Sequence, residues 1–307
     1  MMRSLYSGIS GLKNHQTRMD VIANNIANVN TDGFKASRVV FQDVYSQTVR
    51  LGAAGTAGST TPAVAPMGGT NTSQIGLGLK LSAVDVLYTN SAPKRTDKEL
   101  DLMIDGDGFF IVNTNGVVTG TTPPPGTEYF TRAGNFDLDN LGRVVTSDGL
   151  FVMGYLNTAT PPANPGDPIP APSFPASPAA KTDLSIIDLS AYTGIGIDDQ
   201  GVIWGLDAND NRVAVAKVAL ATFSNNGGLE KKGGSLYAAT GATGTTRYTA
   251  AKEAGVGKVL QGALEMSNVD LATEFTDMIV TQRGFQANSR IITTSDTMLE
   301  ELVNLKR

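Results

Sequence analysis

The first segment of the chain repeats apolar residues at a regular interval. Four of them recur every seventh position and two more fall on the same helical face: Leu5, Leu12, Met19 and Ile26, with Ile9 and Ile22. Polar residues fill the remaining positions, so the pattern predicts an amphipathic helix. An asparagine-rich run follows, formed by Asn24, Asn25, Asn28 and Asn30. Because asparagine side chains compete for backbone hydrogen bonds, the helix is expected to end near residues 27–29.

The last segment carries a longer version of the same pattern. Its seven-residue register consists of Leu264, Leu271, Met278, Phe285, Ile292 and Leu299, and Phe275, Ile279, Leu302 and Val303 widen the stripe. No proline interrupts the run, which predicts one helix from about Val269 to about Val303. Heptads at both ends predict a coiled-coil-like helical domain built from residues 1–30 and 268–307.

Between the ends the period changes to that of short strands. Phe109 to Val112 forms an apolar run before the turn pair Asn115-Gly116, and similar runs follow at close spacing up to Val213 to Phe223. This pattern predicts a single antiparallel, all-β body over residues 85–239. The predicted fold is therefore mixed α and β, with the β body flanked by N- and C-terminal α-helices.

Three low-complexity stretches separate these parts. Residues 52–72 and 240–257 are rich in glycine, alanine and threonine, and residues 157–180 are rich in proline. Such stretches lack the apolar content of a core, so residues 31–84 and 240–267 are predicted as linkers or extended arms. The stretch 157–180 is predicted as a proline-rich loop within the β body.

Composition and charge exclude several kinds of protein. The 307 residues include no cysteine, which excludes disulfides and thiolate metal sites, and the net charge is −5. A mildly acidic chain is not expected to bind nucleic acid. No apolar run is long enough to span a membrane, and the first twenty residues lack the pattern of a cleaved signal peptide. These features alone indicate a cytoplasmic protein, unless it is exported by a route that needs no cleaved signal.

No residue pattern in the sequence strongly indicates a catalytic or metal-binding site. His15 is the only histidine, and a lone histidine on a helix is expected to be an ordinary structural residue. The run Asp105 to Gly108 lacks the later ligands of a calcium loop, because Phe109 and Phe110 stand where oxygen ligands belong. Paired carboxylates near this run could serve a glycosidase, but no feature favours one. We expect no catalytic, metal or cofactor site; an extracellular β-rich hydrolase or adhesin stays as the alternative from another class.

The two terminal helices could pack within one chain or between chains, and periodicity alone does not separate these cases. Fixing one residue costs roughly 1–2 kcal/mol, whereas burying one large apolar side chain returns roughly 1.5–3 kcal/mol. A helix with few apolar positions therefore gains little unless neighbours surround it, which favours assembly and ends that become ordered in a polymer. The predicted polymerisation interface is Leu5, Ile9, Leu12, Met19, Ile22, Asn24, Asn25, Ile26, Asn28, Asn30, Leu264, Leu271, Phe275, Met278, Phe285, Ile292 and Leu299.

The terminal motifs resemble those of a known family. The run from Ser4 to Leu12, continuing from Ala23 to Lys35, is similar to the N-terminal signature of bacterial flagellar rod and hook proteins. The run from Gly262 to Leu271 resembles their C-terminal signature. The Gly-Asp-Gly-Phe-Phe core within residues 102–112 and the run Val218 to Phe223 also match. This resemblance implies a tubular homopolymer, with the helices as a coaxial inner layer and the β body outside.

Within the family, residues 281–290 and the ending 301–307 are more similar to hook subunits. Distal rod subunits tend to have tyrosine where Phe285 stands. The resemblance thus implies a hook subunit that transmits motor torque to the filament, with a distal rod subunit as the alternative, because the chain is short and has no room for a second β domain. It also implies type III export to the cell exterior and contact with other axial proteins: the distal rod, hook cap and hook–filament junction.

Overall fold

The computed structural model describes residues 2–55, 59–60, 63–64, 68–115, 127–157, 173–175, 183–207, 210–253 and 255–305. Most of the predicted proline-rich loop at 157–180 lies outside these residues. The chain divides into two compact units. Unit 1 contains residues 1–27, 37–86 and 270–307, and unit 2 contains residues 28–36 and 87–269.

Unit 1 contains both long helices, α1 (Met2–Ala27) and α2 (Leu271–Asn304). Their bounds confirm the two predicted helices to within two residues. The start of α2 is capped by Asp270, whose carboxylate accepts a hydrogen bond from the Ala272 N–H at 3.1 Å. Such a side chain satisfies a backbone donor that has no partner inside the helix.

The rest of unit 1 is a ladder of antiparallel strands. They are β1 (Ser37–Asp43), β2 (Ser46–Arg50), β3 (Ser59–Thr60), β4 (Ala63–Val64), β5 (Ser73–Gly76) and β6 (Leu79–Val86). The pairs are nested along the chain, with β1 on β6, β2 on β5 and β3 on β4. The sequence predicted a linker for most of this segment. The ladder forms because backbone hydrogen bonds do not depend on large side chains, and β2 and β5 are exposed along their whole length.

Unit 2 is the β body. Its strands are β7 (Pro93–Arg95), β8 (Leu102–Asp105), β9 (Phe109–Asn113), β10 (Glu128–Thr131), β11 (Phe136–Leu138), β12 (Val144–Thr146), β13 (Phe151–Leu156), β14 (Ser185–Ile186), β15 (Thr193–Ile197), β16 (Val202–Leu206), β17 (Arg212–Thr222), β18 (Glu230–Gly233), β19 (Leu236–Ala238), β20 (Arg247–Ala250), β21 (Lys258–Gln261) and β22 (Ala263–Glu265). Every pairing among the described strands is antiparallel, which confirms the predicted body.

The core of unit 2 is organised around β9 and β17. Both strands are buried on both faces, because successive side chains of a strand point in opposite directions. Phe110 and Val112 enter one hydrophobic cluster, whereas Phe109 and Ile111 enter the other. The run before β9 is a tight turn, and Gly106 and Gly108 adopt φ values of +128° and +135°. These values suit glycine, in agreement with a turn rather than a calcium loop.

The segment 240–267 belongs to this body, although its composition predicted a linker. It supplies β20, β21 and β22, and Val259 pairs with Ile104 of β8. Small residues such as Ala250 and Ala251 are almost fully buried. Small side chains pack closely without large apolar groups. The strands therefore could not be predicted from the composition of this segment. Leu264 lies in β22 and is buried, so the seven-residue register begins before α2.

Candidate assembly interface

The two helices of unit 1 run antiparallel along a polar seam. The hydroxyls of Ser4 and Ser295 are 3.5 Å apart at one end. At the other end, the Asn25 amide donates to the Glu274 carboxylate at 2.9 Å. Early residues of α1 therefore meet late residues of α2, and the contacts continue along both helices. Polar contacts thus lie at both ends of the seam.

Glycines bring the helices close together along the same seam. A Cβ atom placed on Gly11 would lie 2.6 Å from the Asn288 amide nitrogen, and one on Gly8 would lie 3.3 Å from Ile292. On the opposite helix, a Cβ on Gly284 would lie 2.8 Å from the ring of His15. Each glycine of one helix thus receives a side chain of the other. Larger residues at these positions would force the helices apart.

The predicted apolar stripe of α1 lies beside the seam. Leu5, Leu12, Met19 and Ile26 each follow a seam position by one residue and are half-buried in the isolated subunit, Ile22 is buried, and Ile9 is 40% exposed. A shift of one residue turns a helix by about 100°. The seven-residue period was therefore correct, but the neighbouring stripe of Ser4, Gly11, Arg18 and Asn25 faces α2.

The predicted stripe of α2 is divided between two environments. Met278, Ile292 and Leu299 are half-buried, whereas Leu271, Phe275 and Phe285 are exposed. Alternating with the first three along α2 is a second series, formed by Glu274, Thr281, Asn288 and Ser295. Thr281 and Ser295 of this series are buried.

A second apolar stripe on α2 lies outside the seven-residue register that begins at Leu264. We define the outer stripe as Val280, Ile291, Met298 and Leu302, which are 45% to 55% exposed. Their spacings of eleven, seven and four residues place them on one side of the helix. Of these four residues, only Leu302 was among those predicted from the sequence to widen the register that begins at Leu264. Large exposed apolar side chains in a line are typical of a surface that another protein covers.

The predicted asparagines have different environments. The Asn25 side chain bonds Ser37 of β1 through both the backbone N–H, at 3.0 Å, and the carbonyl, at 2.9 Å. Asn25 thus stabilises the end of α1 within its own unit. Asn28 accepts from the Thr31 hydroxyl at 3.1 Å, in the turn after the helix. Asn24 and Asn30 are exposed.

A buried charge cluster lies in unit 2. The Lys35 ammonium is 2.6 Å from one carboxylate oxygen of Glu265, and the Arg132 guanidinium is 3.4 Å from the other. The three side chains are almost inaccessible to solvent. The Lys35 ammonium also donates to the Thr89 carbonyl at 2.8 Å, and the Ser91 N–H donates to Glu265 at 3.2 Å. We call Lys35, Arg132 and Glu265 the charge cluster.

The charge cluster joins three distant parts of unit 2. Lys35 belongs to the short segment after α1, and Glu265 ends β22 shortly before α2. Burial lowers the pKa of both Lys35 and Arg132, and the nearby Glu265 carboxylate opposes that effect. The carboxylate therefore offsets the cost of placing two cations in the interior. This cluster could not be predicted from the sequence, because its members are far apart along the chain.

No helix among the described residues is sufficiently long and apolar to cross a bilayer. The described part of the chain also contains no group of three or more histidine, aspartate or glutamate side chains that could hold a metal ion.

Comparison with known proteins identifies matches to three family models. "Flagella basal body rod protein" matches residues 5–35, "Flagellar hook protein FlgE/F/G D1 domain" matches residues 103–205, and "Flagellar basal body rod FlgEFG protein C-terminal" matches residues 260–305. The flagellar basal-body rod protein FlgG of Bacillus subtilis is 47% identical over 308 residues, covering 100% of both chains. The chain belongs to the flagellar rod and hook protein family. This family consists of structural proteins, not enzymes.

Other relatives of this rod and hook family member carry both kinds of name. FlgG of Caulobacter vibrioides, a flagellar basal-body rod protein, is 34% identical over 306 residues, covering 99% of this chain and 100% of the relative. The flagellar hook protein FlgE of Borreliella burgdorferi is 32% identical, covering 100% of both chains, but that alignment extends over 459 residues. The protein is thus a component of the flagellar basal body or hook.

The matched regions correspond to the structural parts of this family member. The N-terminal match covers most of α1 and extends to Lys35, and the C-terminal match covers β22 and α2. The central match covers β8 to β16 of the body. Each of the three matched regions contributes one residue to the charge cluster.

Proposed function

We propose that the chain is a subunit of the distal rod of the flagellar basal body. The observation that carries this proposal is the alignment with Bacillus subtilis FlgG, which spans both chains from end to end at 47% identity in 308 residues. The predicted single β body, without a second β domain, supports the same assignment. A subunit of this size suits a stiff shaft.

The hook interpretation of the sequence has weaker support. The alignments with hook proteins of Borreliella burgdorferi and Treponema pallidum extend over 459 and 481 residues, although this chain has only 307. Those hook proteins therefore contain long segments without a counterpart here. Residues 281–290, which include Phe285, and the ending 301–307 still favour a hook subunit, but these two short runs weigh less than end-to-end similarity.

The assembly mechanism follows from the exposed residues of unit 1. Neighbouring copies would cover the outer stripe of α2 together with Leu271, Phe275 and Phe285, so that the helices form a coiled-coil-like inner layer. Burying a large apolar side chain contributes roughly 1.5–3 kcal/mol, and several per subunit would hold a polymer together. The polar seam would fix α1 against α2 within each copy. The β body would then lie on the outside of the tube.

This function also implies a route and partners. The subunit would leave the cytoplasm through the flagellar type III export apparatus without signal cleavage, and it would meet other axial proteins at each end of the rod. Its location would therefore be outside the cytoplasm, in the basal body. No cofactor or nucleic acid has a role in this mechanism.

Immunogold labelling of isolated hook–basal bodies tests the proposal. An epitope inserted after Gly149 suits this purpose, because that turn is exposed and has open space around it. We expect gold particles along the straight rod, where the proposed subunits polymerise.

Two controls make the labelling decisive. Particles from cells with the untagged chain measure background, and particles carrying the same epitope on the hook protein of the same cells show what hook labelling looks like. Gold on the curved hook would overturn the proposal and support the hook interpretation.

A further inference from the structure

His15 occupies an unusual position in the seam of unit 1. Its Nδ1 atom is buried and has no hydrogen-bond partner among the described residues. The ring lies against Gly284 of α2, where a Cβ would lie 2.8 Å from its Cε1 atom and 2.9 Å from Nε2. On the other side, Phe41 of β1 contacts the ring edge-on, with the ring centroids 6.3 Å apart. The imidazole is thus partly buried, and the surroundings of its Nδ1 atom suit the neutral form.

We infer that His15 makes the pairing of α1 with α2 sensitive to acid, so that protonating its ring loosens the seam and releases subunits from the polymer. A neutral imidazole leaves one ring nitrogen as an acceptor, whereas the protonated ring has two N–H donors. Protonation would create a buried donor at Nδ1 with no acceptor, together with a charge between two helices. Both changes oppose the paired state.

The charged neighbours of His15 do not supply a counter-ion. Arg18, one turn along α1, is the nearby charge that acts on the ring, and it adds to the effect of burial in lowering the pKa of His15 below 6.5. On α2, Asp277 is engaged by Arg18 at 3.0 Å. Arg283 of α2 is exposed and lies 3.5 Å from the Gln286 side chain.

The strands β1 and β6, which flank α1, also supply no counter-ion for a protonated His15. On β1 and β6, Arg38 and Asp85 pair with each other at 3.8 Å. On the same two strands, Asp43 is opposite Leu79 and Lys80 is opposite Gln42, and neither charged residue forms a hydrogen bond or ion pair with the buried Nδ1 of His15. No carboxylate in the described part of unit 1 is therefore placed to accept the new N–H.

The lowered pKa of His15 determines whether acid favours the polymer or the released chain. Because the pKa of His15 is lower in the folded seam than in a released chain, the released chain binds the proton more readily. Acidification below about pH 6.5 therefore favours release. Glu274 acts in the opposite direction, since burial raises its pKa above 4.5 and its protonation favours the paired state. A variant without His15 isolates that opposing effect.

This inference rests on the proposed function, because it requires the polymer to form. The test lowers the pH of polymers of the full-length protein from 8 to 5 and measures the remaining polymer by pelleting in an ultracentrifuge. We expect the wild-type polymer to dissociate between about pH 6.5 and pH 5, in the range where histidine titrates. The His15→Gln polymer should persist to a lower pH, because glutamine has no proton to gain. The Gln16→His variant, with a histidine at the next, exposed position, should behave as the wild type does.

The two possible failures are distinguishable. Equal dissociation profiles for the wild type and His15→Gln would overturn the role of His15 while leaving the rod proposal intact. A protein that forms no polymer at pH 8 would instead contradict the proposed function. If His15→Gln itself fails to polymerise, His15→Asn provides a second neutral variant, and a wild-type-like profile for His15→Asn would overturn the inference.

Discussion

The Glu265→Gln variant is expected to lose about 3–5 kcal/mol in the free energy of unfolding of unit 2. Glutamine has nearly the same shape, but it carries no charge, and its NH₂ group presents donors where Lys35 or Arg132 needs an acceptor. Lys35 would remain buried without a counter-ion, and Arg132 would keep only the influence of the Asp107 carboxylate. Urea unfolding of the full-length protein, followed by the fluorescence of Trp204 in β16, measures the loss.

Lys35→Met and Asp137→Asn serve as controls for this prediction. Lys35→Met leaves Glu265 paired with Arg132, so the expected loss is smaller, about 1–3 kcal/mol. Asp137 lies 2.6 Å from Lys98, the same distance as in the Lys35–Glu265 pair, but both side chains are exposed. Breaking that exposed pair should cost no more than about 1 kcal/mol. Similar losses for Glu265→Gln and Asp137→Asn would show that the charge cluster has no special role.

The Met298→Asp variant is expected to fold as the wild type does but to polymerise poorly. Met298 is 45% exposed in the single subunit, so the new carboxylate stays in water until another copy covers it. Burying an ionised carboxylate without a partner costs several kcal/mol. The critical concentration for polymerisation should therefore rise roughly a hundredfold or more. Ultracentrifugation across a concentration series measures it.

Thr297→Asp is the matched control for this variant. Thr297 is the preceding residue of α2 and is also exposed, but it faces away from the outer stripe. Both variants place the same charge in the same turn of the same helix. We expect Thr297→Asp to polymerise at nearly the wild-type concentration. Equal defects in the two variants would remove the outer stripe from the interface.

The two helices and the central strand β9 could be predicted from the sequence, because each has a local pattern of apolar residues. Seven-residue spacing located α1 and α2, and the run from Phe109 to Val112 located β9. The same spacing could not show which stripe faces which neighbour. Ser4, Gly11, Arg18 and Asn25 also recur every seventh residue, and glycine with a polar side chain opposite can form a close seam. A prediction from apolar residues alone therefore placed the adjacent stripe, which begins at Leu5, in the helix contact.

Other features depend on contacts between residues that are distant along the chain. The ladder in unit 1 and β20 to β22 were predicted as linkers, because glycine, alanine and threonine can form strands without an obvious apolar pattern. Lys35 and Glu265 are separated by most of the chain, and only the fold shows that they form an ion pair. Val280, Ile291 and Met298 of the outer stripe were not predicted, because they fall outside the register that begins at Leu264.

Hydrogen exchange of the monomer and the polymer tests the central claim, that the helices of unit 1 form the assembly interface. We expect amides in residues 2–27 and 271–304 to exchange rapidly in the monomer and slowly in the polymer, because neighbouring copies supply the packing that orders them. Amides of β9 and β17 should be protected equally in both states. Helices that are equally protected in the monomer and the polymer, with new protection confined to unit 2, would contradict the account.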